Sequence, residues 1–212
     1  MSQIILASQS PRRKELLEQI GLEFEICPAK GEEIITKSVP EEVVMELSKQ
    51  KAEEVAAMVS SYTQEHKDIT TPSDILVIGA DTVVAYDGKI LGKPKDEHDA
   101  KRMLQILQNN SHEVFTGVTV ILKNIKIGSK MIPEKTITFA DASKVLMYPM
   151  SVNEIERYIA SKEPMDKAGS YAIQGKFAVY IKEIIGDYYN IVGLPISKLY
   201  HVLKEEGIDL LE

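Results

Sequence analysis

The 212-residue chain is 44% hydrophobic and 27% charged, with a formal net charge of −7. That balance fits a soluble globular protein of one large domain or two small lobes, and it argues against a general nucleic-acid binder, whose footprint is a broad basic face. A single cysteine, Cys27, rules out an internal disulfide framework, and no stretch approaches the roughly 18 apolar residues of a membrane span.

In chain order, Ile4 to Ala7 reads as a short buried strand. Ser10 is expected as the N-cap of a helix with Pro11 at its first position, where a missing N–H costs nothing. Leu16, Leu17 and Ile20 give that helix an apolar face, and Gly21 ends it. Leu22 to Ile26 is predicted to return as a strand. Cys27 follows it and is expected to be a packed thiol, since a free buried cysteine behaves as a small hydrophobe. Pro40 opens a second helix over Glu41 to about Ser60, and the polar stretch 61–73 reads as a surface loop. Ile75 to Ala80 is a continuous apolar run, hence a central strand that places Asp81 at or near its end. Val83 to Tyr86 and Lys89 to Leu91 flank Asp87-Gly88, a type I′ hairpin signal.

A third helix is predicted from Asp96 to about Gln108. Val114 to Ile127 and Lys135 to Met147 alternate as long half-exposed strands joined near position 128. Ser151 with Glu154 forms a capping box for a helix through Ile159. Phe177 to Ile185 and Tyr188 to Val192, around Gly186-Asp187, read as another hairpin, and Pro195 opens a last helix ending near Gly207. The mixture of helices and hairpins predicts an α/β fold with a mixed, largely antiparallel twisted sheet and flanking helices. The whole of 1–212 reads as a single domain.

Four segments carry chemistry. In Ser8-Gln9-Ser10-Pro11-Arg12-Arg13-Lys14, cations crowd the start of a helix that already bears positive charge, which is unfavourable unless an anion is expected there. Hydroxyls, backbone N–H groups and two guanidinium forks suit phosphate oxygens; the plainer reading is a helix start with exposed arginines. In Gly79-Ala80-Asp81-Thr82, a carboxylate follows the most apolar run and either holds a cation, acts on a water, or serves as a turn former. Lys93, after Gly92 and before a helix, can reach a phosphate as a point charge, although no P-loop spacing is present. In 166–175, small residues, Tyr171 and Gln174 look like a loop around a flat ligand. The Gln174 amide offers a donor and an acceptor, matching a pyrimidine edge, or else it satisfies buried backbone groups. Glu32-Glu33 could add carboxylate oxygens to a Mg²⁺ or Mn²⁺ site. Lys51, within Lys49-Gln50-Lys51, either reaches inward or lies on an exposed face. The histidines show no zinc-ligand spacing, and Cys27 has no evident base.

Taken together, LASQSPRRKELLEQIG, VIGADTVV, DGKILGKPKDEHDAKRML, EPMDKAGSYAIQG and GDYYNIVGLPISKL resemble the Maf family of nucleotide pyrophosphatases, in order over essentially the whole chain. The resemblance implies a two-lobed fold around a central cleft, and hydrolysis of a nucleoside triphosphate to the monophosphate and pyrophosphate with a divalent metal, Mg²⁺ or Mn²⁺. It places the catalytic aspartate on Asp81, with Glu33 as a second metal ligand. Substrate contacts fall on Ser8, Arg12, Arg13, Lys51, Thr82, Lys93 and Gln174. The SPRR, GADT and AIQG trio resembles the branch acting on dTTP and UTP. A homodimer is plausible from the family only. No leader pattern of a charged region and an apolar run is evident, so the expected compartment is the cytoplasm, with neither membrane nor nucleic acid as partner. The alternatives are a non-catalytic nucleotide-binding regulator and a partner of the division machinery, since the family is also discussed in connection with inhibition of septum formation.

Overall fold

The computed structural model describes residues 3–65, 74–127 and 130–211. In chain order these form β1 (Gln3–Leu6), α1 (Pro11–Gln19), β2 (Glu25–Ile26), α2 (Pro40–Glu65), β3 (Ile75–Tyr86), β4 (Lys89–Leu91), α3 (Glu97–Leu107), β5 (Ser111–Ile127), β6 (Lys130–Met147) and α4 (Val152–Ala160). Short 3-10 segments follow over 163–180, then β7 (Ile181–Ile185), α5 (Tyr188–Val192) and α6 (Ile196–Glu205). Among the described residues seven strands make one sheet in the order β2-β1-β3-β5-β6-β7, with β4 paired to β3. β1 runs parallel to β2 and β3, whereas β4 on β3 and β7 on β6 are antiparallel. The mixed α/β class expected from the sequence is therefore the observed one. No helix among the described residues is long and apolar enough to cross a membrane.

Contacts divide the chain into two compact units. The first comprises Met1–Asp81, Gly117–Ala140 and Ile196–Glu212. Its core joins Ile5 and Ala7 beside β1, Ile75 and Val77 of β3, Ile121 of β5, and Ala52, Val55 and Ala56 of α2. Burying a Val or Ile side chain of this kind is worth roughly 1.5–3 kcal/mol. Cys27 packs partly buried against the cluster, as a small hydrophobe should. Two glycines let α2 lie close on the sheet: a Cβ on Gly79 would meet the Ser48 carbonyl oxygen and, at 2.8 Å, the Ala52 nitrogen, and one on Gly117 would meet the Val44 carbonyl. A buried hydroxyl pair fastens the same contact, with Ser48 Oγ 3.0 Å from Thr119 Oγ1; Thr119 Oγ1 also lies 3.0 Å from the Thr138 hydroxyl of β6.

The second unit comprises Thr82–Thr116 and Asp141–Pro195. Asp87 (φ 49°) and Gly88 (φ 70°) make the positive-φ turn predicted for the β3–β4 hairpin. Asp96 caps α3 by accepting from the Asp99 N–H at 2.7 Å, and the Ser151/Glu154 capping box of α4 is present on both sides. Fully buried Phe177 gathers Tyr158, Tyr171 and Tyr180 at centroid distances of 4.8, 5.2 and 5.3 Å.

His112, 2% exposed, hydrogen-bonds through Nε2 to the Tyr171 hydroxyl at 2.7 Å. Burial holds its pKa down at about 4, against an ordinary 6.5. An unfolded chain takes up a proton between pH 6.5 and 4 that the folded protein refuses. Stability is therefore unaffected above pH 6.5, declines as pH falls below it, and is lower by roughly 3 kcal/mol near pH 4. Urea titrations at pH 7 and pH 5 are expected to show a loss of about 2 kcal/mol for the parent that a His112→Gln variant lacks; equal pH slopes in the two proteins would refute it.

Several local expectations need correction. β3 runs unbroken through Tyr86, so Asp81 sits in mid-strand rather than at a strand end. The second strand is only Glu25–Ile26. Ser10 occupies the N-cap position of α1, but its side chain makes no capping bond. α2 continues to Glu65, so 61–65 are helical; the rest of the expected loop, 66–73, lies outside the described residues, as does the strand junction at 128–129. The second predicted hairpin is absent: 175–180 form a 3-10 segment and 188–192 are helical. Asp187 caps that helix through the Tyr189 N–H at 2.9 Å, and Gly193 (φ 125°) ends it. Apolar spacing over five residues cannot separate a helical turn from a strand, so the flanking cap and glycine decide.

Candidate functional site

The first unit builds a charged cluster where β1 enters α1, where α2 lies alongside, and at the middle of β3. Ser8, buried just after β1, accepts hydrogen bonds from the Ser10 N–H at 3.2 Å and from Arg13 Nη1 at 3.0 Å. Ser8, three residues before the helix, does not cap it: it accepts from the N–H of the N-cap residue Ser10 and from the guanidinium of Arg13 in the first turn. Arg13 is 9% exposed. Burial lowers its pKa from the ordinary value; Asp81 opposes this, Arg12 adds to it, and Glu33 opposes it. Asp81, Arg12 and Glu33 therefore lie within electrostatic reach of Arg13. Arg12 is half-buried and makes no hydrogen bond or ion pair among the described residues.

Lys51, the inward-reaching lysine of α2, puts its ammonium on Asp81 Oδ1 and 2.9 Å from Glu33 Oε1. Asp81 and Lys51 are sheltered, with side chains 15% and 18% exposed. Charge pairing in a shielded place is much stronger than on an open surface. The two carboxylates thus converge on one cationic atom. Hard oxygen donors around such a point fit Mg²⁺ or Mn²⁺. Among the described residues no group of three or more His, Cys, Asp or Glu gathers, so phosphate oxygens and water would complete an ion's shell, an arrangement Mg²⁺ commonly adopts.

Glu33 reaches this point on an exposed segment, 31–39, that sequence reasoning left without a support. The segment lies along α2 through three side chains one turn apart. Glu54 accepts from the Lys30 and Gly31 N–H groups at 2.8 and 3.0 Å. Gln50 accepts from the Ile34 N–H at 3.0 Å and donates to the Ile34 carbonyl at 2.6 Å. Glu46 accepts from the Thr36 N–H at 2.9 Å. The signal was present as polar residues at i, i+4 and i+8, a spacing that lines one helix face.

In the second unit, Gln174 is half-buried in extended backbone (φ −94°, ψ 162°), and its amide makes no hydrogen bond among the described residues. The reading of a glutamine occupied with backbone groups is therefore set aside. Its loop is held on both sides. The Ala172 N–H donates to the Tyr158 hydroxyl at 3.2 Å, that hydroxyl donates to Glu163 Oε1 at 3.1 Å, and Glu163 Oε2 accepts from the Lys176 N–H at 3.3 Å. The Gly169 N–H donates to the Gly92 carbonyl at 3.1 Å, tying this loop to the segment that carries exposed Lys93.

Thr82 Oγ1 lies 2.9 Å from Thr116 Oγ1. Thr116 gives its only hydroxyl hydrogen to the Asn190 carbonyl at 2.8 Å, so Thr82 is the donor between the two. Fully buried Asn190 donates in turn to the Val114 carbonyl and Ser143 Oγ. Asn190 escaped notice because its segment was read as a strand.

The structure thus brings Ser8, Arg12, Arg13, Glu33, Lys51 and Asp81 together in the first unit, and it places Thr82, Lys93 and Gln174 in the second.

The chain is similar to known proteins along nearly its whole length. The family profile described as "Maf-like protein" matches residues 3–206. A dTTP/UTP pyrophosphatase of Agathobacter rectalis is 60% identical over 99% of this chain and all of its own length. One from Lachnoclostridium phytofermentans is 50% identical over all of this chain and 99% of its own. The solved structure of a HAM1 protein from Coxiella burnetii covers 97% of this chain and all of its own, at 16% identity and a TM-score of 0.42.

Proposed function

The chain belongs to the Maf family, and from that premise we propose that it hydrolyses dTTP and UTP to the monophosphate and pyrophosphate. The observation that carries the reading is the convergence of Lys51 with Asp81 and Glu33 beside buried Arg13, in a chain aligned end to end with relatives of that name. The non-catalytic alternatives draw no comparable support.

Arg12 and Arg13 are assigned to the triphosphate oxygens, since each guanidinium can hold two at once. A triphosphate carries a charge near −4 and would be repelled by an acidic protein without such a local basic group. Lys51 offsets one of the two carboxylate charges until the substrate arrives, then turns its ammonium to a phosphate oxygen. A Mg²⁺ or Mn²⁺ ion held by Asp81 and Glu33 would supply, when bound, positive charge on the phosphate oxygens and a more acidic water. Asp81 orients the attacking water toward the α-phosphorus and accepts its proton. Most of the remaining acceleration comes from fixed charge and placement. On the second unit, Lys93 is assigned to phosphate, and Thr82 and Gln174 to the base. The soluble nucleotide pool as substrate source makes the cytoplasm the working compartment.

A panel of dTTP, UTP, CTP and GTP, assayed with and without Mg²⁺ or Mn²⁺ while the cleaved phosphorus bond is identified, tests the proposal. Metal-dependent release of pyrophosphate, fastest with dTTP and UTP, is expected. Release of orthophosphate, or no turnover at all, would overturn it. In the same panel Gln174→Ala should lower the preference for dTTP and UTP by about 10-fold or more, because a base edge loses its hydrogen-bond partner. Unchanged kcat/KM ratios would remove Gln174 from base recognition.

A further inference from the structure

The Glu33 segment is held in place by a single helix face, and that face belongs to the helix that also presents Lys51. Glu46, Gln50 and Glu54 receive the N–H groups of Thr36, Ile34, Lys30 and Gly31, and Gln50 also returns a hydrogen bond to the Ile34 carbonyl. Glu33 lies between the Glu54 and Gln50 attachments, one residue before the Gln50 contact, and its carboxylate reaches Lys51, the next residue after Gln50 on α2. We propose that Gln50 is a positioning residue for the reaction: by pairing with both backbone groups of Ile34 it fixes the direction in which Glu33 projects its carboxylate at the shared cation point, with Glu54 and Glu46 anchoring the segment on either side. This rests on the assignment of Glu33 to that point.

The chemistry accounts for the residue type. An amide accepts from an N–H through its oxygen and donates to a carbonyl through its nitrogen, so glutamine can pair with both backbone groups of one residue as a neighbouring strand would. A carboxylate or a lysine satisfies one of the two groups. These bonds are exposed, so they contribute little to global stability, whereas groups that orient a ligating side chain commonly change metal affinity or activity by about 10–100-fold when removed. A structural and a positioning role therefore predict different results.

The test compares the parent with Gln50→Leu, Glu33→Gln and the double variant. The readouts are the melting temperature, Mn²⁺ binding by calorimetry without nucleotide, and kcat and KM for dTTP. Leucine keeps helix propensity, so Gln50→Leu should melt within about 3 °C of the parent. It should bind Mn²⁺ about 10-fold more weakly and lose a similar factor in kcat/KM. In the Glu33→Gln background the same change should add less than about 2-fold, because Gln50 acts through Glu33. Parent-like Mn²⁺ binding in Gln50→Leu, or a loss that persists undiminished without the Glu33 carboxylate, would overturn the proposal. If Glu33→Gln alone is parent-like in both binding and turnover, the Glu33 assignment has failed and the role of Gln50 falls with it.

Discussion

Asp81→Asn is expected to fold and melt as the parent does yet to lose about 10³-fold or more in pyrophosphate release from dTTP. Asparagine matches aspartate in shape, and the site lies in the middle of β3, where backbone pairing fixes its position. What disappears is a charge. Lys51 keeps Glu33 as a partner at 2.9 Å, so the lysine is not left unpaired and the structural penalty stays small. The chemistry loses more: a group able to take a proton from the attacking water is commonly worth 10²–10⁴-fold, and the field of Asp81 on Arg13 goes as well. Single-turnover assays with thermal melts on the same preparations check this. A variant within about 10-fold of the parent would remove Asp81 from the reaction.

Gly79→Ala should cause a large loss of stability. The added methyl would land on the Ser48 carbonyl, 2.8 Å from the Ala52 nitrogen and 2.9 Å from its Cβ. Those are backbone atoms and a stub side chain of α2, and none can swing aside. Relief requires the helix to lift from the sheet, which also pulls on the Ser48–Thr119 hydroxyl pair. Overpacking of this kind costs about 3 kcal/mol, or about 6–12 °C in melting temperature for a chain of this size. Lys51 lies one turn beyond Ser48, so the shift also draws the ammonium away from Asp81, and activity should fall at temperatures where the variant is still folded. Gly92→Ala, with nothing within 4 Å of the new methyl, is the stability control and should stay within about 0.5 kcal/mol of the parent. Equal melting temperatures for the two variants would contradict the close approach of α2.

The parts of the fold legible in the sequence were those with local causes. The Asp87-Gly88 turn and the Ser151/Glu154 box are written in residues close in sequence, and each stands where expected. The helix misread as a strand at 188–192 is short enough that its cap and closing glycine outweigh its apolar pattern. Of the site, Asp81, Lys51 and the arginines stood out because charge beside an apolar run or a helix start is costly without a purpose. Gln50, Glu46 and Glu54 did not, because polar residues on a helix read as a wet surface until the segment they hold is visible. Glu163 and Tyr158 were hidden in the same way: their partners are backbone N–H groups of a loop, and no side-chain pattern announces those.

The helix face that holds the Glu33 segment has a genetic corollary. Positions 46, 50, 51 and 54 act as marks on a ruler, and adding or deleting one residue among them turns everything beyond by about 100°. The count of residues between Glu46 and Glu54 should therefore be as constrained as the residue types at those positions. Length polymorphism in this lineage should therefore fall outside that interval, and a library of single-codon insertions should return no functional clones within it.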